Sequence, residues 1–274
     1  MKIEFVKISG SGNDFVLIDD RESRLAEIDI EKLVRYLAKR RIGVGADGVI
    51  FLRESDSASI AMQYYNSDGS EAAICGNGLR CAAYFARMLG LPAEISIETG
   101  AGVVHANVDG NMVTVSMPDV KLVANNVEII IDTLPLVLDL FDSGVPHAVT
   151  MVEDVETVPV SYWGRIVRWH KEFAPEGANV DFVEVVDDNT IKIRTYERGV
   201  EEETLSCGTG AVASAVAAAR KGLVKPPVNV LVRLPDTLIV DFEPKLPDAV
   251  NVELKGRVDF VFEGKITLNE RNFR

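Results

Sequence analysis

Only three cysteines and three histidines occur among 274 residues. So few thiols cannot build the disulfide framework of a small secreted scaffold, and a reducing compartment is expected. Basic residues are also short. Lys and Arg number 29 against 42 Asp and Glu, a formal net charge of −13. No basic stripe offsets that total, which argues against a nucleic-acid partner or an anionic membrane surface, though a local basic pocket for a carboxylate remains compatible. Long hydrophobic runs are missing too. The most apolar stretch, "VEIIIDTLPLVLDLF", is cut by Asp132 and Asp139, so no segment is expected to span a bilayer. The opening "MKIEFVKISGSGNDF" has no apolar signal-peptide core. These absences predict a soluble, cytoplasmic protein. What is present is ordinary globular composition, 47% hydrophobic and 26% charged, in a chain long enough for one large domain or two of usual size.

Two of the cysteines share an unusual setting. "EAAICGNGLRC" around Cys75 and "ETLSCGTGAVA" around Cys207 each run Cys-Gly-x-Gly into a small-residue helical pattern. The offset between these cysteines also relates "SGNDFV" from Ser11 to "SGVPHAV" from Ser143, "GADGVIFL" from Gly45 to "GANVDFVEVV" from Gly177, and Glu71 to Glu203. Shared spacing over most of the chain, without gaps, predicts an internal duplication into two homologous halves related by a pseudo-twofold axis.

Each half reads as mixed α/β. "IEFVKI", "GVIFL", "IAMQYYN", "VVHANV" and "MVTVSM" alternate as strands, with Asp109-Gly110 as a hairpin turn. "IDIEKLVRYLAKR" has helical spacing behind Asp29 as N-cap. The helices "LRCAAYFARMLG" and "AVASAVAAARKG" have no wholly polar face and belong inside a core. The expected architecture is therefore two pseudo-symmetric domains, each a mostly antiparallel β-barrel around a central helix.

A cysteine at the start of a helix lies beside free backbone N–H groups and the positive end of the helix dipole, which favour the thiolate. The same N–H groups suit a carboxylate. Two such sites, facing each other, would flank one carbon from opposite sides, the arrangement needed to invert a stereocentre. One thiolate removes a proton while the opposite thiol delivers another. Nothing indicates a pyridoxal phosphate site or a metal, so no cofactor is expected. Cys81, whose repeat mate is Ala213, reads as an inert core thiol. His105 and His170 read as structural or surface residues, whereas His147 lies in the "SGVPHAV" loop that mates with "SGNDFV". By the offset Glu197 pairs with Tyr65, next to Asn66, so the polar residues of both segments are expected near the site. The run Glu201, Glu202 and Glu203 reads as a solvated face.

"SGNDFVLID", "GVGADG", "YYNSDGSEAAICGNGLRC", "GANVDFVEV" and "ERG…ETLSCGTG" resemble, in order, the signature segments of the diaminopimelate epimerases. The resemblance covers almost the whole chain. It implies a cofactor-independent two-base isomerase, usually homodimeric, that interconverts LL- and meso-diaminopimelate for lysine and peptidoglycan precursors. It implies domains at 1–116 plus 262–274 and at 117–261, with the active site in the interdomain cleft. By position, Cys75 and Cys207 resemble the acid/base pair, and His147 and Glu197 the groups assisting proton transfer. Asn13, Asn66, Asn179 and Arg198 resemble substrate anchors, while Gly76, Asn77, Gly208 and Thr209 would offer main-chain N–H groups to the carboxylate at the reacting carbon.

Two departures stand out. The usual "GNPH" is "GVPH" here, placing Val145 where an Asn contacts the distal end of the substrate. The usual "ERGxGET" is "ERGVEEET", one residue longer, which affects the spacing from Glu197 to Cys207. The alternatives are a racemase for another amino acid without pyridoxal phosphate, a thiol redox sensor, or a non-catalytic ligand-binding module.

Overall fold

The computed structural model describes residues 1–268. The chain divides into two compact units, Met1–Val115 with the chain from Gly256 onward, and Ser116–Lys255. The sequence-based end of the first domain included residues 269–274, which lie outside the described residues. No helix among those described is long and apolar enough to cross a membrane.

The first unit contains β1 (Lys2–Gly10), β2 (Asn13–Asp19), α1 (Ile30–Ala38), β3 (Gly48–Arg53), β4 (Ile60–Asn66), β5 (Glu71–Ala72), α2 (Gly76–Met88), β6 (Glu94–Thr99), β7 (Gly102–Asp109) and β8 (Met112–Ser116). Neighbour pairing runs β1–β2–β3–β4–β6–β7–β8 and closes through the later part of β17 (Asp248–Thr267) back to β1, giving an eight-stranded barrel. Only β2–β3 and β4–β6 are parallel within this ring. Inside it runs α2, which touches β1, β2, β3, β4 and β7. Leu79, Ala82, Ala83 and Ala86 are fully buried, since small side chains let the surrounding strands close on the helix. On the outer face, Leu33, Val34 and Leu37 of α1 cover Val16, Ile18, Val49 and Phe51. Asp29 caps α1 by accepting from the Lys32 backbone N–H at 3.1 Å.

The second unit repeats the plan. It holds β9 (Lys121–Ile131), β10 (Leu134–Asp142), β11 (Pro146–Met151), α3 (Val160–Arg168), β12 (Asn179–Asp187), β13 (Thr190–Glu197), β14 (Glu202–Thr204), α4 (Gly208–Arg220), β15 (Val228–Leu231) and β16 (Thr237–Lys245). Pairing runs β9–β10–β11–β12–β13–β15–β16–β17 and returns to the start of β9 through a Val120–Ala249 bridge. Here too α4 fills the ring, buried from Gly210 through Ala218. The expected pair of α/β barrels around central helices is thus the architecture observed, and one strand, β17, serves both rings.

The starts of α2 and α4 keep the spacing of the two cysteines, but the sheet registers show that the offset is not free of gaps. Ile8 faces Phe15 and Phe15 faces Gly48; their counterparts are Leu140 facing Ala148 and Ala148 facing Val180. Leu140 and Val180 follow Ile8 and Gly48 by the cysteine offset, whereas Ala148 follows Phe15 by one position more. The "SGVPHAV" loop therefore carries one extra residue, and the counterpart of His147 is Asp14. β13 slips the other way. Val49 faces Tyr65 and Ile60 faces Ile97, against Asp181 facing Thr195 and Thr190 facing Asn229. Thr195 follows Tyr65 by two positions fewer than the cysteine offset, so Glu197 is not the counterpart of Tyr65. Tyr65 faces Glu71 whereas Thr195 faces Thr204, so Thr204 and not Glu203 is the counterpart of Glu71. The shorter β12–β13 connection, the longer β13–β14 connection and a shorter step from β14 to Cys207 together cancel, which is why the cysteines keep their spacing.

Candidate active site

Both cysteines are N-caps, with extended backbone, and the helices behind them begin at Gly76 and Gly208, three residues earlier than the apolar pattern indicates. Cys75 is half-buried and its Sγ accepts the Gly78 backbone N–H at 3.4 Å. Cys207 is buried. Burial pushes the Cys207 thiol well above its ordinary pKa, and the charges of Glu197 and Asp181 push in the same direction; the Thr209 hydroxyl and Gly210 N–H pull against them. Cys81 is fully buried, with its thiol likewise raised by burial. It packs where a Cβ on Gly10 would stand, 2.9 Å from its Sγ, as befits a core residue.

In the first unit the polar residues around the head of α2 are joined by hydrogen bonds. Asn77 donates to Asn13 Oδ1 at 2.7 Å, and Asn13 donates to Asp47 at 3.2 Å. Arg80, wholly buried on α2, donates to Asn77 Oδ1 at 2.8 Å, Ser11 Oγ at 2.9 Å and the Gly76 carbonyl at 3.4 Å. That guanidinium fixes the first turn of α2 and the β1–β2 turn together. Asp14 is paired with buried Lys7 at 2.8 Å and with Arg40 at 2.8 Å, and Arg40 also reaches Asp47 at 2.9 Å. Asn66 accepts from Tyr64 at 2.9 Å and donates to Ser70 at 3.1 Å.

The second unit arranges its groups as a line. Cys207 Sγ lies 3.5 Å from Thr209 Oγ1, which lies 2.9 Å from His147 Nε2. His147 Nδ1 lies 2.6 Å from Asp181 Oδ2, and Thr195 donates to Asp181 Oδ1 at 2.7 Å. His147 and Asp181 are fully buried on neighbouring strands. Asn179 donates to the Pro146 carbonyl at 3.1 Å and accepts the Arg198 N–H at 2.8 Å. The Arg198 guanidinium pairs with Glu176 at 3.3 Å. Glu197 is half-buried, and burial raises its carboxyl above the usual range; its interactions with Thr204 and His147 oppose this, while the Asp181 charge adds to it.

The reading of Glu201–Glu203 as a solvated face is corrected. Only Glu202 is exposed. Glu203 is clamped by Arg194 at 2.7 Å and Arg233 at 2.6 Å, and Glu201 pairs with Arg168 at 3.1 Å while occupying a left-handed turn at φ 60°. The extra residue of "ERGVEEET" is absorbed there. His105 is exposed on β7, and His170 caps a short turn by accepting the Glu172 N–H at 3.4 Å. Val145 is half-buried in the loop before β11. Sequence reasoning missed Asp181, Thr195, Arg80 and Lys7. A lone Asp or Lys inside an otherwise apolar strand pattern was the available signal for two of them. Among the described residues no group of three or more His, Cys, Asp or Glu could hold a metal ion.

Solved structures define the fold class as the paired barrel found in PhzF-family proteins and in a hydroxyproline epimerase. The chain superimposes on a hydroxyproline epimerase from Agrobacterium vitis with a TM-score of 0.71, at 18% identity, over 99% of this chain and 94% of that one. A PhzF-family phenazine biosynthesis protein from Bacillus anthracis gives a TM-score of 0.72 at 15% identity, over 98% and 100%. Sequence then narrows the class. The diaminopimelate epimerase family profile matches residues 5–123 and 140–240. The diaminopimelate epimerase of Aquifex aeolicus is 45% identical over 97% of this chain and 98% of its own length, and that of Archaeoglobus fulgidus is 38% identical over 100% and 99%. The chain belongs to the diaminopimelate epimerase family.

Proposed function

We propose that this protein interconverts LL- and meso-diaminopimelate without a cofactor, Cys75 and Cys207 serving as base and acid at one α-carbon. The observation that carries the reading is the pair of N-cap thiols at the heads of two equivalent internal helices. An α-hydrogen beside an ammonium and a carboxylate is only weakly acidic. The helix-terminal N–H groups after each cysteine, at Gly76, Asn77, Gly208 and Thr209, are the donors that would hold the carboxylate and spread the developing charge. Asn13, Asn66, Asn179 and Arg198 are the anchors for the remainder of the substrate. Glu197 and His147 set the charge around Cys207. A racemase for a different amino acid is the second reading, favoured by Val145 in place of the usual Asn. Incubation with a panel of amino acids in D2O separates the two: α-deuterium should enter diaminopimelate alone. Exchange in another amino acid with none in diaminopimelate would select the second reading.

The cytoplasm is the proposed compartment, supported by cysteines that all stand as thiols. A homodimer is the proposed assembly, supported by the consecutive exposed side chains Phe260, Val261 and Phe262 on the first unit. Light scattering giving the mass of a single chain, 29.9 kDa, would rule the dimer out.

A further inference from the structure

The line of hydrogen bonds behind Cys207 has a direction. Asn179 has its amide orientation set on both sides, since its nitrogen donates to the Pro146 carbonyl and its oxygen accepts from the Arg198 N–H. That nitrogen also stands 3.4 Å from His147 Nε2, so Nε2 faces a donor and must present its lone pair. The proton of the neutral imidazole is then on Nδ1, donated to Asp181. With Nε2 accepting, the Thr209 hydroxyl donates to it, and Thr209 Oγ1 has its lone pairs for the Cys207 S–H.

We propose that Thr209 carries the proton between the Cys207 thiol and His147, the group already expected to assist proton transfer, and that Asp181 is the positioning residue that holds the imidazole in the receiving tautomer. The inference rests on the proposed role of Cys207 as acid and base. In the forward step the S–H bond breaks and its proton passes to Thr209 Oγ1, while the Thr209 hydroxyl proton passes to His147 Nε2. The electron pair stays on sulfur. Thiol and neutral imidazole become thiolate and imidazolium, and Asp181 remains a carboxylate hydrogen-bonded by His147 and Thr195. Each bond from sulfur to Nε2 is kept, with its direction reversed.

The charge environment explains why a relay is needed here. Cys207 faces Glu197 on β13, Asp181 on β12, His147 on β11 and the Thr209 and Gly210 groups on its own helix. Ionising a buried thiol beside two carboxyl groups by losing its proton to water would add uncompensated negative charge. Passing the proton to His147 instead leaves the net charge of the pocket unchanged. The matching positions of the first unit carry different groups. The counterpart of His147 there is Asp14, bound by Lys7 and Arg40, the residue in the place of Thr209 is Asn77, and Val49 stands in the place of Asp181.

The test follows iodoacetamide alkylation of Cys207 against pH in the full chain, by peptide mass spectrometry, with Cys75 in the same molecules as reference. It needs no substrate. At about pH 7.5, Asp181→Asn and Thr209→Val should each slow Cys207 alkylation about tenfold, the effect of raising a thiol pKa by about one unit, and leave Cys75 within about twofold. Thr209→Ser, which keeps the hydroxyl, should retain the wild-type Cys207 profile. An unchanged Cys207 profile in Thr209→Val would overturn the relay, as would equal slowing of both cysteines, which signals a structural role only. If the relay stands but Cys207→Ser still epimerises, the proposed role of Cys207 as acid and base fails instead; the two failures are read separately.

Discussion

Gly210 and Gly78 occupy matching third positions of α4 and α2, yet a methyl group at the two sites should have unequal effects. A Cβ at Gly210 would lie 2.5 Å from Asp181 Oδ1 and 3.3 Å from both Asp181 Cγ and Cys207 Cβ. Asp181 cannot step aside, because its two oxygens are held by His147 and Thr195 at 2.6 and 2.7 Å. Overpacking of this kind costs about 2 kcal/mol, and losing one hydrogen bond to a charged group about 2 more. The better helix propensity of Ala returns about 1 kcal/mol. Gly210→Ala should therefore destabilise by about 3 kcal/mol, a fall in Tm of about 9 °C at roughly 3 °C per kcal/mol. At Gly78 the neighbours are Cys75 Cβ at 3.3 Å, Ile50 Cδ1 at 3.3 Å and Met62 Cε at 3.4 Å, and the last two are ends of flexible side chains. Gly78→Ala should leave Tm within about 2 °C, small strain and improved propensity offsetting. Differential scanning calorimetry of the two variants decides. Equal Tm values would refute the reasoning, because it depends on an immovable carboxylate on one side only.

Lys7→Met should destabilise by about 2 kcal/mol near neutral pH by removing a buried partner of Asp14. Burial alone raises the Asp14 carboxyl, but its bonds to Arg40 and Lys7 outweigh that and hold it below the usual carboxylate range. The stabilisation is thus present above a pH of about 3.9 and lost as pH falls through the folded value, so the Tm gap between variant and wild type should close in acid. Glu197 has the opposite sign. Its burial-raised carboxyl contributes stability below a pH of about 4.3 that disappears as pH rises through the higher folded value. Glu197→Gln should accordingly gain on wild type in Tm as pH rises from about 4 to about 8, by roughly the amount the raised carboxyl loses; a constant gap would contradict this. Under limiting iodoacetamide at neutral pH, half-buried Cys75 should label before buried Cys207, with Cys81 last, as peptide mapping would show.

Much of this architecture was legible because duplication writes itself twice. Cys75 and Cys207, with a small-residue helix behind each, marked α2 and α4, and the absence of a polar face on those helices placed them inside the barrels. Loop lengths were not legible. The residue gained before β11 is lost again before β12, and the shifts on either side of β13 likewise cancel in the overall spacing. Glu197 therefore matched Tyr65 on paper, although the sheet puts Thr195, facing Asp181, in that place. Asp181 sits in "NVDFVEVV", which alternates like any strand, and only the barrel shows its carboxylate turned inward to His147. Arg80 lies in a helix already placed inside a core, but only the structure shows its buried guanidinium bound to Asn77 and Ser11. The transfer of β17 between rings takes place within one uninterrupted strand, so no break in the strand pattern marks it.

The central claim is that two thiols act on one carbon, and the hydrogen isotope in the first product tests it most directly. With LL-diaminopimelate in D2O, the initial meso product should carry deuterium at the inverted carbon while unreacted LL substrate stays protiated, since the entering hydrogen comes from a sulfur already equilibrated with solvent. Initial meso product that keeps the hydrogen of its own substrate would show a single group working on both faces, and the account would be wrong.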